Sequence, residues 1–389
     1  MRLLYLTAWY HGVMVLTGID VLAYSKFRTL AGCQVGLVTN HTGLTSAGQP
    51  AIDALFHAPG VTLTALFGPE HGIRGDFDQP SVADTVDAQT GLPVYSLYGA
   101  RTQPVAEQLD AVDTLVFDIQ DIGCRFYTYL STLDQILLAA QTHQKRVVVL
   151  DRPNPITGTR TEGPPADPAK LAFVACHPIP IRHGLTLGEL ARLLHAEKQL
   201  SSPLEVIPCE GWKRGDWYDQ TGLLWTNPSP NMRRLPAAVL YPGVGLLEFT
   251  NVSVGRGTDT PFEIFGAPYL NPRAFASALN AEDLPGVRFV PIEFTPTSSV
   301  FAGERCSGVQ ILITDWEPLD AVRVGLTLAL VLRRDYTQTW QPEKLMTLLV
   351  NQAAYEGVVH GKGYAEITAG WAGDLAAFAG RAAVWRLYE

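Results

Sequence analysis

The sequence contains no stretch of about twenty apolar residues, the length an α-helix needs to cross a bilayer, so no membrane span is expected. It also has no run of lysines and arginines. With 29 basic against 38 acidic residues its formal charge is −9, and no segment offers the basic patch that nucleic acid would require. The five cysteines, Cys33, Cys124, Cys176, Cys209 and Cys306, are scattered and include no C-x-x-C pair. This speaks against a zinc site or a disulfide framework and for reduced, buried thiols at most of the five positions. The patterns G-x-S-x-G, H-E-x-x-H and G-x-G-x-x-G are missing, which excludes an α/β-hydrolase elbow and leaves no motif that calls for a cofactor or a bound metal. Residues 357–362 resemble a phosphate loop, but three residues intervene where four are needed and Gly363 stands where Ser or Thr should.

What is present is a folding composition: 47 % hydrophobic and 17 % charged residues over 389 positions, enough for two domains. Residues 1–16 carry one arginine and an apolar run, as an export signal would, but Thr7, His11 and Gly12 interrupt it and no small-x-small cleavage site follows. They read as an irregular lead-in, which favours a cytoplasmic location over an exported one. From there to about residue 170, short runs rich in Val, Leu and Ile alternate with helical patterns. The runs are 34–39, 61–67, 93–97, 114–119 and 146–150; the helical patterns are 49–57, 104–109 and 128–144. Runs without polar alternation suit strands buried on both faces, and strand–helix alternation predicts an α/β fold with a doubly wound parallel sheet. Residues 171–389 form the second domain, with strands expected at 204–208, 287–294 and 308–314 and helices at 187–200, 319–334 and 342–354. The Pro- and Gly-rich stretch 226–268 reads as long functional loops.

The residues that follow the strands carry the functional signal. Asn40 and His41 follow the first run, and Gly68-Pro69-Glu70-His71-Gly72 with Arg74 follows the second. Asp118, Asp121 and Arg125 follow the fourth, and Asp151-Arg152-Pro153-Asn154 follows the fifth. In an open parallel sheet ligands bind outside the carboxyl ends of the strands, and four polar loops on one edge are more than turn chemistry requires. Three glycines and a proline let the 68–75 loop present Glu70 and His71 to a cleft, where a carboxyl with a raised pKa acts as a general acid. His71 either orients Glu70, contacts substrate or makes a structural hydrogen bond. Asp118 and Asp121 are open to several roles: base, acceptor for a sugar hydroxyl, half of a metal site, or partners of Arg125 in a local ion pair. Glu162, in Thr161-Glu162-Gly163-Pro164, is a second candidate carboxyl or a surface turn. Asn231, in Pro228-Ser229-Pro230-Asn231-Met232, and Arg256, in Gly255-Arg256-Gly257-Thr258-Asp259, sit on stiff loops that suit a cleft wall. Trp225 and Phe262 are candidates to stack on a ring.

Taken in order, these segments resemble the NamZ-type exo-β-N-acetylmuramidases, a bacterial family long catalogued as a domain of unknown function. The carrying segments are 39–43, 67–75, 118–129, 151–158 with 162–164, 182–186, 228–232 and 241–263, so that the resemblance spans residue 17 to the end. It implies a Rossmann-like domain, a smaller α/β domain and an active-site cleft between them. The implied reaction is release of a terminal β-N-acetylmuramic acid from a small peptidoglycan fragment, with no cofactor. It also implies that Glu70 is the catalytic glutamate and Glu162 a second. Two departures bear on substrate preference: Phe249 stands where the family has Gly, and Arg233-Arg234 where it has Pro-Thr. From the residues alone, the partner of Glu70 stays open among Asp118, Asp121, Glu162 and the substrate's own acetamido group. A metal-dependent hydrolase using His41, His71, Asp118 and Asp121, or a sugar-binding protein without activity, are the alternatives. The lactyl carboxylate of the sugar calls for an arginine, taken from Arg74, Arg125 and Arg256.

Overall fold

The structure, a computed structural model, describes residues 14–69, 73, 84–99 and 101–389. The expected lead-in therefore falls almost wholly outside the described residues, as do Glu70, His71 and Arg74.

A seven-stranded sheet forms the first lobe. Its strands are β1 (Gln34–Thr39), β2 (Thr62–Gly68), β3 (Thr85–Val86), β4 (Pro93–Ser96), β5 (Thr114–Asp118), β6 (Arg146–Leu150) and β7 (Leu204–Ile207), in the order β3-β4-β2-β1-β5-β6-β7. All pairings are parallel except that of the two-residue edge strand β3 with β4. Strands β1, β5 and β6 are almost wholly buried, which explains why their sequences show no polar alternation. Helices α1 (Gly18–Tyr24), α2 (Ala51–Phe56), α3 (Thr128–His143) and α4 (Leu187–Glu197) provide the crossovers and cover. Helix α4 opens with the capping box legible in its sequence: Thr186 Oγ1 accepts from Glu189 N–H, and Thr186 N–H donates to Glu189. Because β7 pairs with β6, the first sheet draws on residues past 170, where the sequence reading drew its boundary.

The second lobe holds a three-stranded antiparallel sheet of β8 (Ile264–Ala267), β9 (Val287–Phe294) and β10 (Cys306–Ile313), ordered β8-β10-β9. Around it lie α5 (Leu235–Val244), α6 (Pro272–Ala281), α7 (Ala321–Asp335), α8 (Met346–Leu349), α9 (Gln352–Val359), α10 (Tyr364–Thr368) and α11 (Trp371–Ala383). The stretch 226–268 corrects the expectation of long loops, since it contains α5 and β8. Helix α5 is buried nearly all round, so it has no polar face to reveal a helical period. Its Gly243 marks a close helix crossing rather than a turn: a Cβ there would lie 1.7 Å from Ala321 O at the start of α7.

One continuous apolar core runs through both lobes. The end of the chain returns to the first lobe, where Tyr388 Oη donates to Asp151 Oδ2 (2.5 Å) and the Tyr388 ring meets Trp212 edge-on.

Candidate active site

Strand order places the site. From β1 the chain winds outward through β2 and β4; it then returns to the other side of β1 and winds outward through β5, β6 and β7. The reversal leaves a crevice outside the carboxyl ends of β1 and β5, the switch point at which such sheets bind ligands. Asn40 and His41 leave β1 there, and Gln120 and Asp121 leave β5.

The two loops are joined. Thr39 Oγ1 donates to Asp118 O (2.8 Å). Thr42 Oγ1 donates to Asn40 Oδ1 (2.6 Å) and accepts from Gln120 N–H (2.9 Å). Gln120 Nε2 donates to Asp121 O (2.7 Å) and to Pro153 O (2.9 Å), which ties in the loop after β6. Asp121 Oδ2 accepts from Gly123 N–H at 2.7 Å, and the buried His183 ring lies 3.6 Å from the same oxygen. Gly123 holds φ +80°, and a Cβ there would meet Asn154 Oδ1 at 2.5 Å, so glycine is required at this turn.

The three described carboxyl candidates differ in what their oxygens are doing. Asp118 is fully buried and gives both oxygens to Arg152, Oδ1 to Nε at 2.6 Å and Oδ2 to Nη2 at 2.9 Å. Its partner is thus Arg152, not Arg125. Glu162 pairs through Oε1 with Arg182, and its Oε2 accepts from Ala321 N–H (2.9 Å) at the amino end of α7. This is an interlobe latch, not a surface turn, and an anion suits that helix end. Asp121 alone of the three keeps an oxygen, Oδ1, without a partner among the described residues.

Arg125 is corrected as a carboxylate-binding candidate. It is fully buried, and its guanidinium donates to Pro164 O (2.9 Å), Ile179 O (3.0 Å), Leu348 O (3.0 Å) and Leu349 O (2.7 Å). It fastens the end of α8 to the first lobe, with both its terminal nitrogens spent on backbone carbonyls. Arg256 stands differently: it lines a cavity of about 140 Å³ between the lobes and pairs there with Glu248.

Asn231, Tyr127, Tyr241 and Phe262 line the same cavity, and Phe249, 45 % exposed, lies on its wall. Phe262 packs edge-on against Tyr241 at 4.7 Å, so it forms wall rather than a free stacking face. Trp225 packs edge-on against Tyr218. The 227–232 loop closes over the strand ends through His41 Nε2 against Asn227 O (2.6 Å) and Tyr129 Oη donating to Pro228 O (2.5 Å). Thr42, Gln120, Tyr127 and His183 are not among the candidates that the sequence offers. Their signal was adjacency to chosen residues, in the runs 39–43, 118–129 and 182–186.

Among the described residues no group of three or more His, Cys, Asp or Glu side chains gathers to hold a metal ion. The proposed metal set in any case loses Asp118 to Arg152.

Family models describing the N-terminal and C-terminal parts of exo-beta-N-acetylmuramidase NamZ match residues 35–236 and 239–388. A relative from Bacillus subtilis (strain 168), the peptidoglycan beta-N-acetylmuramidase NamZ, is 43 % identical over 84 % of this chain and 79 % of its own. Two crystal structures of DUF1343 family proteins from Bacteroides fragilis superpose on this chain. One has a TM-score of 0.85 at 37 % identity, covering 97 % of this chain and 100 % of its own. The other has a TM-score of 0.77 at 28 % identity, covering 96 % and 99 %. The likeness runs through both lobes, and the chain belongs to the NamZ exo-β-N-acetylmuramidase family.

Proposed function

We propose that this protein is a glycoside hydrolase that releases the terminal, non-reducing β-N-acetylmuramic acid from peptidoglycan fragments. The observation that carries this is the 43 % identity to a peptidoglycan beta-N-acetylmuramidase over most of both chains. The geometry agrees with it: a crevice at the sheet's switch point, polar atoms buried there without partners among the described residues, and an interlobe cavity with an arginine on its wall.

In this reading Glu70, two residues past β2 in the sequence, protonates the leaving oxygen. Asp118 and Glu162 have no oxygen to spare for chemistry, so they hold the crevice and the two lobes in place. Asp121 is the carboxyl that faces substrate. Arg256 meets the lactyl carboxylate, exchanging part of its pairing with Glu248 for a two-pronged contact. The test is incubation with the MurNAc–GlcNAc disaccharide and mass spectrometry of the products. Free N-acetylmuramic acid supports the reading; intact disaccharide at every pH tried sinks it.

A further inference from the structure

Besides His183, whose Nε2 is unpaired at 3.6 Å from Asp121 Oδ2, three side chains on the loops after β1 and β5 are deeply buried and each keeps one polar atom unpaired among the described residues. They are Asn40 Nδ2, Gln120 Oε1 and Asp121 Oδ1, on residues 2 %, 4 % and 6 % exposed. Burying a polar group without a partner costs stability, so unpaired atoms clustered at a ligand crevice call for an explanation.

The rest of each side chain fixes which atom is left over. Asn40 Oδ1 accepts from Thr42 N–H at 2.9 Å and from Thr42 Oγ1 at 2.6 Å, so its amide cannot flip and the NH₂ group is the free end. Gln120 Nε2 is spent on two carbonyls, Asp121 O and Pro153 O, so the oxygen is the free end. Asp121 Oδ2 is held by Gly123 N–H. His183 Nδ1 accepts from Leu185 N–H, which leaves its proton on Nε2, the nitrogen that faces Asp121 Oδ2. The cluster therefore offers a donor from β1 and two acceptors from β5, tied into one unit through Thr42, with the unpaired Nε2–H of His183 beside Asp121.

A carboxylate would suit the donor but be repelled by Asp121. A cation would suit the acceptors and meet the Asn40 NH₂ head-on. A secondary amide brings a carbonyl and an N–H joined by one rigid plane, and matches both sides. We propose that Asn40, Gln120 and Asp121 form the subsite that reads the 2-acetamido group of the sugar, with Asn40 Nδ2 donating to its carbonyl and Asp121 Oδ1 accepting from its N–H. The assignment rests on the muramidase reading above. It adds to that reading the residues that select an N-acetylated ring.

The experiment is calorimetric titration with N-acetylmuramic acid and with 3-O-lactylglucose, which carries a hydroxyl in place of the acetamido group. The wild-type protein is expected to prefer the acetylated sugar. Asn40→Asp keeps the contacts to Thr42 but turns the donor into an acceptor. It should weaken N-acetylmuramic acid roughly tenfold or more and change 3-O-lactylglucose by less than about twofold. Asp121→Asn carries the same comparison should Asn40→Asp not fold, because it puts an N–H where the acceptor stood. Parallel weakening of both sugars in the folded variants would overturn the assignment and make the cluster structural. Wild-type protein that cleaves the disaccharide yet binds both sugars equally would overturn it while leaving the muramidase reading intact. Wild-type protein that binds neither sugar and cleaves nothing removes both.

Discussion

Gly243 of α5 and Gly325 of α7 meet backbone to backbone: a Cβ on Gly243 would lie 1.7 Å from Ala321 O, and one on Gly325 would lie 2.1 Å from Gly243 O. The contact seats α7 on α5, and the amino end of α7 is where Glu162 of the first lobe docks. The helices must part for any side chain to enter. Gly325→Ala is expected to cost about 3 kcal/mol or more, the upper end of overpacking. Gly380→Ala in α11, where nothing lies within 4 Å, should instead stabilise by roughly 0.5–1 kcal/mol. Urea unfolding of the two variants checks this, and equal midpoints would refute the crossing as the cause.

The Asp118–Arg152 pair gives a second stability prediction. Removing one partner of a buried ion pair strands the other charge, at a cost of about 3–5 kcal/mol. Asp118→Asn should therefore lower the unfolding midpoint strongly. A variant that keeps wild-type stability but loses activity would return Asp118 to the chemistry.

How much of this the sequence disclosed depended on whether a residue's partner was near in the chain. Strands β1, β6 and β9 read to their observed ends because burial on both faces, or a period of two, is written in consecutive residues. Helix α5 did not read, because a helix buried nearly all round has no period and its Pro242 and Gly243 imitate a loop. The loop positions after β1 and β5 were legible, and so was their convergence on one edge. The roles of single polar groups were not. Arg125 looks like a cleft arginine until four carbonyls, two of them more than 200 residues away, surround it. Gln120 is silent in sequence because the orientation of its amide depends on Pro153.

Asp320 predicts a pH dependence. It caps α7 by accepting from Arg323 N–H (2.8 Å), and burial, with the Glu162 charge beside it, pushes its pKa up to about 7. In the unfolded chain it titrates near 3.9. Between these values the folded state binds more protons than the unfolded one, so stability falls as pH rises. The contribution is fully present below about pH 4 and is lost as pH rises through 7. Asp320→Asn keeps the cap and cannot ionise. It should flatten the unfolding midpoint between pH 5 and 8 and raise it at pH 8. A variant with the wild-type slope would show that other groups set the dependence; Asp151, pushed up to about 6 by burial, is the next to test.

The two described arginine candidates should separate cleanly. Arg256 borders the interlobe cavity, so Arg256→Ala is expected to raise KM for the muramic substrate and to affect an N-acetylglucosaminide less, since that sugar lacks the lactyl carboxylate. Arg125→Ala should lower stability, because it leaves buried carbonyls unpaired. Kinetics on both sugars with a parallel melting curve decide. Equal loss on both sugars for Arg256→Ala would remove it from carboxylate recognition and leave Arg74 as the remaining candidate.

Glu70 provides the sharpest test of the chemistry. It follows β2, the neighbour of β1 on one side of the switch point, in a Gly-Pro-Glu-His-Gly run. Glu70→Gln keeps the shape of the side chain but cannot give a proton to the leaving oxygen. General acid catalysis contributes typically about 10²–10⁴-fold, so kcat should fall by that order while the sugar still binds. A substrate with an activated aryl leaving group needs less protonation and should suffer less than the natural disaccharide. Equal loss on both substrates would instead make Glu70 a nucleophile or a stabiliser of the oxocarbenium-like transition state. Near-normal kcat on both would take Glu70 out of the mechanism. The acid would then have to come from elsewhere, since Asp118 and Glu162 have both oxygens engaged, and the acetamido proposal gives the remaining oxygen of Asp121 to the sugar's N–H.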